Sequence, residues 1–319
     1  MIRTSHVGSF PFSYSPGLVC RIMDELRRIG LDAPPYPQVR DFVEIYLEPL
    51  VEAGLLEKRN GFYHANPDNL VGAEPPDPVL REAEEASGCR EGFKWLRGPV
   101  TGVFTLASKI YWGEGLGLEN TLLAMKGVVE GFLARYVRRA TEKLISLGYN
   151  IIFFDEPILG VMVGRRRILY GYSEEEIRGL YNDIMAGLPA DKGIHVCGRV
   201  SDKLFQLLTR IKELRYINLE FYDSRRNLQV IDPEALEQEG KILAPGIVSS
   251  RRPTVEPVEE IRKLLKIVYM RARGRIDLVS ADCGFGGLSG TLPEEDLWGI
   301  VFVKLSNMID AVKGLEENR

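Results

Sequence analysis

What this 319-residue chain lacks narrows its class before any motif is read. No run of about 18 uninterrupted apolar residues occurs, so no membrane-spanning helix is expected. Arg3 and His6 interrupt the opening residues too early for the apolar core of a signal peptide, and a cytoplasmic protein is expected. No dense Lys/Arg run interleaved with aromatics appears, and a formal net charge of −4 gives no long-range attraction to nucleic-acid phosphates. The short basic runs Arg165-Arg166-Arg167 and Arg271-Ala272-Arg273 read as solvated loops or helix ends. Internal repeats, low-complexity tracts and Ser/Gly linkers are missing as well. So are closely spaced Cys-x-x-Cys pairs, the usual mark of a structural zinc cluster. The four cysteines, 20, 89, 197 and 283, are spread widely in a chain without an export signal, so reduced thiols are expected. Cys20, in an apolar helical pattern, and Cys89, in a polar loop, read as structural.

What is present is a soluble, core-forming composition, with 45% apolar and 27% charged residues. Short apolar runs alternate with longer amphipathic ones, the pattern of βα units. Strands are expected at Thr4–Phe10, Leu31–Pro35, Phe93–Val100, Asn150–Asp155, Gly193–Cys197, Arg215–Phe221, Lys241–Val248 and Asp277–Cys283. Helical spacing covers Leu118–Leu147, Ser173–Ala186 and Glu256–Ala272. The expected fold class is α/β, a single (β/α)8 TIM-barrel domain over 1–319. A loop excursion interrupts it around 58–92, with a hairpin at Asn60-Gly61.

The unusual polar residues fall at the C-terminal ends of these strands: Gly8-Ser9, Asp155-Glu156, His195-Val196-Cys197, Glu220 and Asp282-Cys283. In barrels of this kind that rim carries the active site. His195 and Cys197 are one residue apart, so on a strand they share a face and can grip one ion. Glu220 and Cys283 end later strands and would approach the same mouth. Two sulfurs, one imidazole and one carboxylate favour zinc over Mg2+ or Ca2+. A carboxylate that can yield its place leaves room for a substrate thiol, which zinc would hold as the nucleophilic thiolate.

Six ordered motifs carry a resemblance: His6-Val7-Gly8-Ser9-Phe10-Pro11, Gly98-Pro99-Val100-Thr101, Phe154-Asp155-Glu156-Pro157, Ile194-His195-Val196-Cys197, Leu243-Ala244-Pro245-Gly246-Ile247 and Ala281-Asp282-Cys283-Gly284. Together they resemble the catalytic barrel of the cobalamin-independent methionine synthases, over nearly the whole chain. The chain looks like a short, single-barrel form without the family's additional barrel. The resemblance implies a methyltransferase that converts homocysteine to methionine, with His195, Cys197, Glu220 and Cys283 as zinc ligands. It also implies that Asp155 grips the substrate ammonium and that the Gly8-Ser9 backbone binds its carboxylate.

Three positions depart from the family pattern. Gln38 stands where a second ammonium-binding Glu is usual, keeping an acceptor oxygen but not the charge. Arg251 stands where an acidic His is usual, and a guanidinium is a poor proton donor, though it can still bind an anion. Thr105 stands where an aromatic would stack on a pterin, and Phe104 would face away if the segment is extended. His6 and His64 are the other possible proton sources, and each reads first as structural.

A tertiary amine expelled from methyltetrahydrofolate needs a proton, whereas a methylcorrinoid releases Co(I) without one. The expected donor is therefore methylcobalamin or a corrinoid protein, or another non-folate donor served by a helper subunit. Methyltetrahydrofolate or another methylated pterin is the alternative donor, and coenzyme M the alternative acceptor. An idle zinc-binding subunit is the non-enzymatic alternative.

Overall fold

The computed structural model describes residues 1–113 and 115–317. Short apolar runs bounded by Gly, Pro or Asp become strands: β1 (Arg3–Thr4), β2 (Glu57–Arg59), β3 (Phe62–His64), β4 (Arg97–Thr101), β5 (Ile110–Tyr111), β6 (Ile151–Asp155), β7 (Asp191–Val196), β8 (Tyr216–Glu220), β9 (Ile242–Gly246) and β10 (Leu278–Val279). β4, β6, β7, β8 and β9 lie side by side in that order, all parallel. β1 pairs in parallel with β10, which reaches β9 through the Gly246–Ser280 bridge. Residues 33–35 fill the remaining gap, bridging Ser5 at Ala33 and Arg97 at Pro35. Eight parallel segments thus close into a ring, the (β/α)8 TIM barrel expected from the alternation. The second segment makes bridges rather than a ladder because Pro34 and Pro35 have no amide hydrogen to donate.

Two of the three expected helices form close to the expected positions. Ser173 accepts from the Glu176 amide while the Glu176 side chain accepts from the Ser173 amide, a capping box that starts Glu174–Met185. Val258–Arg271 lies within the expected Glu256–Ala272. Leu118–Leu147 departs: the chain makes two short 3-10 turns, then a π turn at Val129–Leu133, and becomes regular only over Ala134–Ser146. Gly127 and Gly131 fall inside that stretch, and glycine weakens a helix by about 1 kcal/mol against alanine.

The excursion folds as an antiparallel hairpin of β2 and β3. Asn60 and Gly61 both take positive φ (50° and 82°) at its turn, as a two-residue hairpin loop requires. β3 then adds β5 in parallel, tying the excursion to the chain that follows β4. Further on, helix Arg81–Gly88 docks on helix Leu18–Ile29, and here the expectation of reduced thiols is overturned. Cys20 and Cys89 form a disulfide with Cα atoms 5.6 Å apart. Spacing along the chain could not show this, because the pair meets only through helix docking. Among the described residues no helix is long and apolar enough to cross a membrane.

Inside the ring the two-residue period of each strand stacks side chains in rows. The lower row is apolar, with Ile151, Phe153, Tyr216, Ala244 and Leu278 packed together. Gly193 leaves the room that the Phe153 ring occupies. Above them Arg97 is fully buried, its guanidinium 3.9 Å from the centre of the Phe153 ring and donating to Asn218 Oδ1 at 3.1 Å. Asn218 donates in turn to the Ala244 carbonyl at 2.6 Å.

The disulfide closes a loop with a sequence separation of 69. Loop entropy then favours the folded state by roughly 4 kcal/mol. Cys20→Ser is expected to lower the denaturant midpoint of the oxidised protein, and reductant should bring the parent down to the variant. Unfolding curves with and without dithiothreitol check this, and a parent indifferent to reductant would contradict it.

Candidate metal centre

His195 lies near the end of β7 and Cys197 one residue beyond it, so the strand period aims both at the axis. Closure through β1 and β10 brings Cys283 beside them. His195 Nε2 is 3.0 Å from Cys197 Sγ, which is 3.0 Å from Cys283 Sγ. One donor atom from each of the three residues lies within 4.8 Å of the other two. The thiols behave as a pair: Cys283 is held well below the ordinary range by the hydrogen bond from Cys197 and by His195, while Cys197, the donor, is pushed well above it. A site that readily holds one thiolate, with a second thiol beside it and a buried imidazole, suits a borderline-soft cation. Two sulfurs and one ring nitrogen fit zinc in three of its four positions.

Glu220, expected as the fourth donor, is in the same cleft but outside this three-residue group. Its carboxylate accepts from Arg251 Nη2 at 3.2 and 3.0 Å and from Ser224 Oγ at 3.0 Å. The Arg251 side chain is 58% exposed and that of Glu220 only 1%, so the pair joins a rim cation to a floor anion.

The remaining expected residues lie in two groups. Gly8, Ser9 and Gln38 come together: Ser9 bridges Gln38, and a side chain on Gly8 would meet Gln38 Oε1 at 2.6 Å. Ser9 also binds the last strand loop, its carbonyl accepting from the Phe285 amide at 2.7 Å and its Oγ from the Gly286 amide at 3.2 Å. Gly284 is required here, because a Cβ on it would collide with Ser9 Oγ. Asp155 is buried, with Oδ1 unpartnered. Burial pushes it up to about 7 against the opposing pull of His195 and Arg97. A cavity of about 640 Å3 opens over the cysteines, lined by Ser9, Cys197, Glu220, Arg251, Cys283 and Gly284 among others. Gln38 and Asp155 lie outside that lining, and Gln38 donates to Tyr36 Oη at 3.2 Å.

The donor-side positions differ from expectation in one respect. Val103–Ala107 is a short helix rather than an extended segment, so the alternation argument for Phe104 does not apply. Phe104 is nevertheless buried, against Tyr172 and Tyr181, and presents no free face. Thr105 is buried as well, donating to Glu156.

Three supporting residues take roles that the sequence alone does not assign, Glu156 and Asp282 having stood out only as polar strand ends and Arg97 not at all. Glu156 accepts from the Phe104 and Thr105 amides at 2.9 and 2.8 Å, from Thr105 Oγ1 and from Tyr181, pinning the short helix after β4. Gly102 makes room for it. Asp282 accepts from the amides of Phe221, Tyr222 and Asp223 at 3.0, 3.0 and 2.5 Å, fixing the chain just beyond Glu220. Arg97 lies below, with Nε and Nη1 unpartnered. A charged residue within an apolar run is the one sign of it that the sequence carries.

His6 has no hydrogen-bond partner on either nitrogen and stacks 4.7 Å from Phe285. Burial, then Arg97 and His195, lower it from 6.5 to about 3. A base depressed in the folded state binds fewer protons there than when unfolded. Its contribution is complete above pH 6.5 and is lost as pH falls toward 3, by at most about 5 kcal/mol. His6→Phe should therefore flatten the acid limb of stability, read as denaturant midpoints from pH 7.5 to 4. An unchanged slope would contradict the assignment.

The catalytic-domain model of the cobalamin-independent synthases matches residues 124–313. The methionine synthase of Pyrococcus furiosus is 27% identical over 221 residues, covering 69% of this chain and 56% of its own length. Across this and the methionine synthases of Methanocaldococcus jannaschii and Methanothermobacter thermautotrophicus the chain spans between 54% and 62% of the relative's length. In fold, the chain is similar to a B12-independent methionine synthase from Shewanella sp. W3-18-1 (TM-score 0.68, 17% identity, 99% of this chain and 98% of that one). It is also similar to a methyltransferase from Methanosarcina mazei (TM-score 0.65, 16% identity, 99% and 94%).

Proposed function

Since this chain belongs to the cobalamin-independent synthase family and matches its catalytic domain, we propose that it methylates the thiol of homocysteine to give methionine. The observation that carries this reading is the convergence of His195, Cys197 and Cys283 at the mouth of the barrel. These three would hold a zinc ion, with the Glu220 carboxylate as an exchangeable fourth donor. Zinc bound there would supply a Lewis acid that keeps an acceptor thiol in its thiolate form at neutral pH.

The other parts of the site position the acceptor. The unpartnered Asp155 oxygen offers an anionic acceptor to the substrate ammonium, and an ammonium beside it would hold that carboxylate ionised. Gln38 would add a neutral acceptor, and the Gly8-Ser9 backbone would bind the substrate carboxylate. Transfer is a single displacement: the sulfur forms a bond to the methyl carbon, and the electron pair of the broken bond stays with the donor. Holding the thiolate in line with that carbon supplies most of the acceleration.

Two features favour a donor other than folate. A tertiary amine must be protonated as it leaves, and Arg251, always charged and engaged with Glu220, is no source of that proton. Phe104 and Thr105 offer no exposed ring for a pterin. A methylcorrinoid, whose Co(I) leaves unprotonated, meets neither obstacle, whether free or carried by a partner protein. A second cavity of about 530 Å3 shares Asp41 and Phe42 with the first, and its Phe62, Tyr111, Ile158 and Val161 offer the apolar approach such a donor would need.

The test is methionine formation by the zinc-loaded protein from homocysteine with methylcobalamin or methyltetrahydrofolate. Methionine from methylcobalamin is expected, and efficient turnover of methyltetrahydrofolate without corrinoid would overturn the donor assignment. X-ray absorption should show an added zinc–sulfur bond when homocysteine binds. An unchanged ligand set with no turnover would point instead to an idle zinc-binding subunit, and turnover of coenzyme M alone would reassign the acceptor. Cys283→Ser should lose zinc and activity together while keeping its circular dichroism.

A further inference from the structure

The Arg251 loop is built to present one guanidinium to one carboxylate. Its base is fixed from beneath: Lys304, fully buried on the helix Glu294–Glu317, donates to both Glu256 oxygens at 2.7 and 2.8 Å. Glu256 accepts from the Ser249 amide at 3.1 Å, and Ser249 Oγ donates to Asp223 Oδ2 at 2.7 Å. The same hydroxyl oxygen accepts from the Arg251 amide at 3.2 Å. The backbone is thus anchored while the Arg251 side chain stays largely in solvent and reaches inward to Glu220.

Glu220 faces a problem that Arg251 solves. A carboxylate 1% exposed cannot give up one cationic partner for an empty apolar pocket, because stranding a buried charge costs several kcal/mol. A ligand that must leave a metal centre therefore needs another cation close by. Resting on the proposed metal centre, we infer that Arg251 is a positioning residue that receives Glu220 when a substrate thiol takes the fourth place beside His195, Cys197 and Cys283. The exchange is balanced. Glu220 trades one cation for another, and the thiol enters as thiolate and leaves its proton to solvent through the open cleft. A guanidinium suits this task because it stays charged at any working pH, and its Nη2 reaches both Glu220 oxygens. Without it Glu220 would stay on the metal and compete with the thiol.

Cobalt(II) serves as a spectroscopic stand-in for zinc. Cobalt affinity is measured by chelator competition, and homocysteine binding by the sulfur-to-cobalt charge-transfer band, in the parent, Arg251→Gln, Arg251→Lys, Glu220→Gln and the double variant. Arg251→Gln should bind cobalt about tenfold more tightly and homocysteine about tenfold more weakly, a change of about 1.4 kcal/mol in each. Arg251→Lys should recover part of the thiol affinity. In the Glu220→Gln background the Arg251→Gln substitution should change nothing. The inference is overturned if Arg251→Gln alters neither affinity, if it weakens cobalt binding, or if its effect survives removal of the Glu220 charge. A parent that takes up neither cobalt nor zinc instead refutes the metal centre itself, and this inference falls with it.

Discussion

Parallel pairing of residues 3–5 with 277–279 closes the ring, and the meeting of Cys283 with Cys197 depends on it. These segments lie 275 residues apart in sequence (278 − 3), so their pairing carries a loop-closure cost that the surrounding core must outweigh. In return Cys283 meets Cys197 across 86 residues of sequence. Asp282 gathers the amides that follow Glu220, and Ser9 meets the loop at Phe285 and Gly286. A ring left open at this seam would keep its central five-stranded sheet but lose the third donor.

Closure also sets the electrostatics within. The lower interior is filled by apolar side chains, which leaves Arg97, His6 and Asp155 in a dry layer just under the site. Arg97 has one side-chain acceptor and an aromatic face for company, His6 has only rings, and Asp155 keeps one oxygen unmatched. In such a layer each group's charge state is governed by the others and by what binds above them. A substrate ammonium reaching Asp155 would restore a charge partner that burial otherwise withholds.

Much of the barrel was legible because strand periodicity and turn residues are local signals. The eight apolar runs, the polar residues at their ends and the shared face of His195 and Cys197 all follow from spacing. Cys283 follows as the end of the last expected strand, whereas the carboxylate-binding role of the Gly8-Ser9 backbone comes only through the family motifs. What stayed hidden depends on packing between distant elements. Cys20 meets Cys89 because two helices dock. Arg251 meets Glu220 because a loop after β9 is held by a lysine some fifty residues onward. The broken start of Leu118–Leu147 shows the opposite failure, where a strong helical pattern yielded to two glycines and its surroundings.

The Cys20–Cys89 bond gives the excursion a character of its own. It joins the helix that follows the first barrel strand to the residues that lead into the third, so its loop encloses the second segment as well as most of the insertion. The brace fixes where the excursion returns to the barrel, while β3 ties its hairpin to β5. In evolutionary terms the tip of the hairpin, beyond the β3–β5 pairing, can lengthen or shrink while the covalent brace keeps helix Arg81–Gly88 on helix Leu18–Ile29.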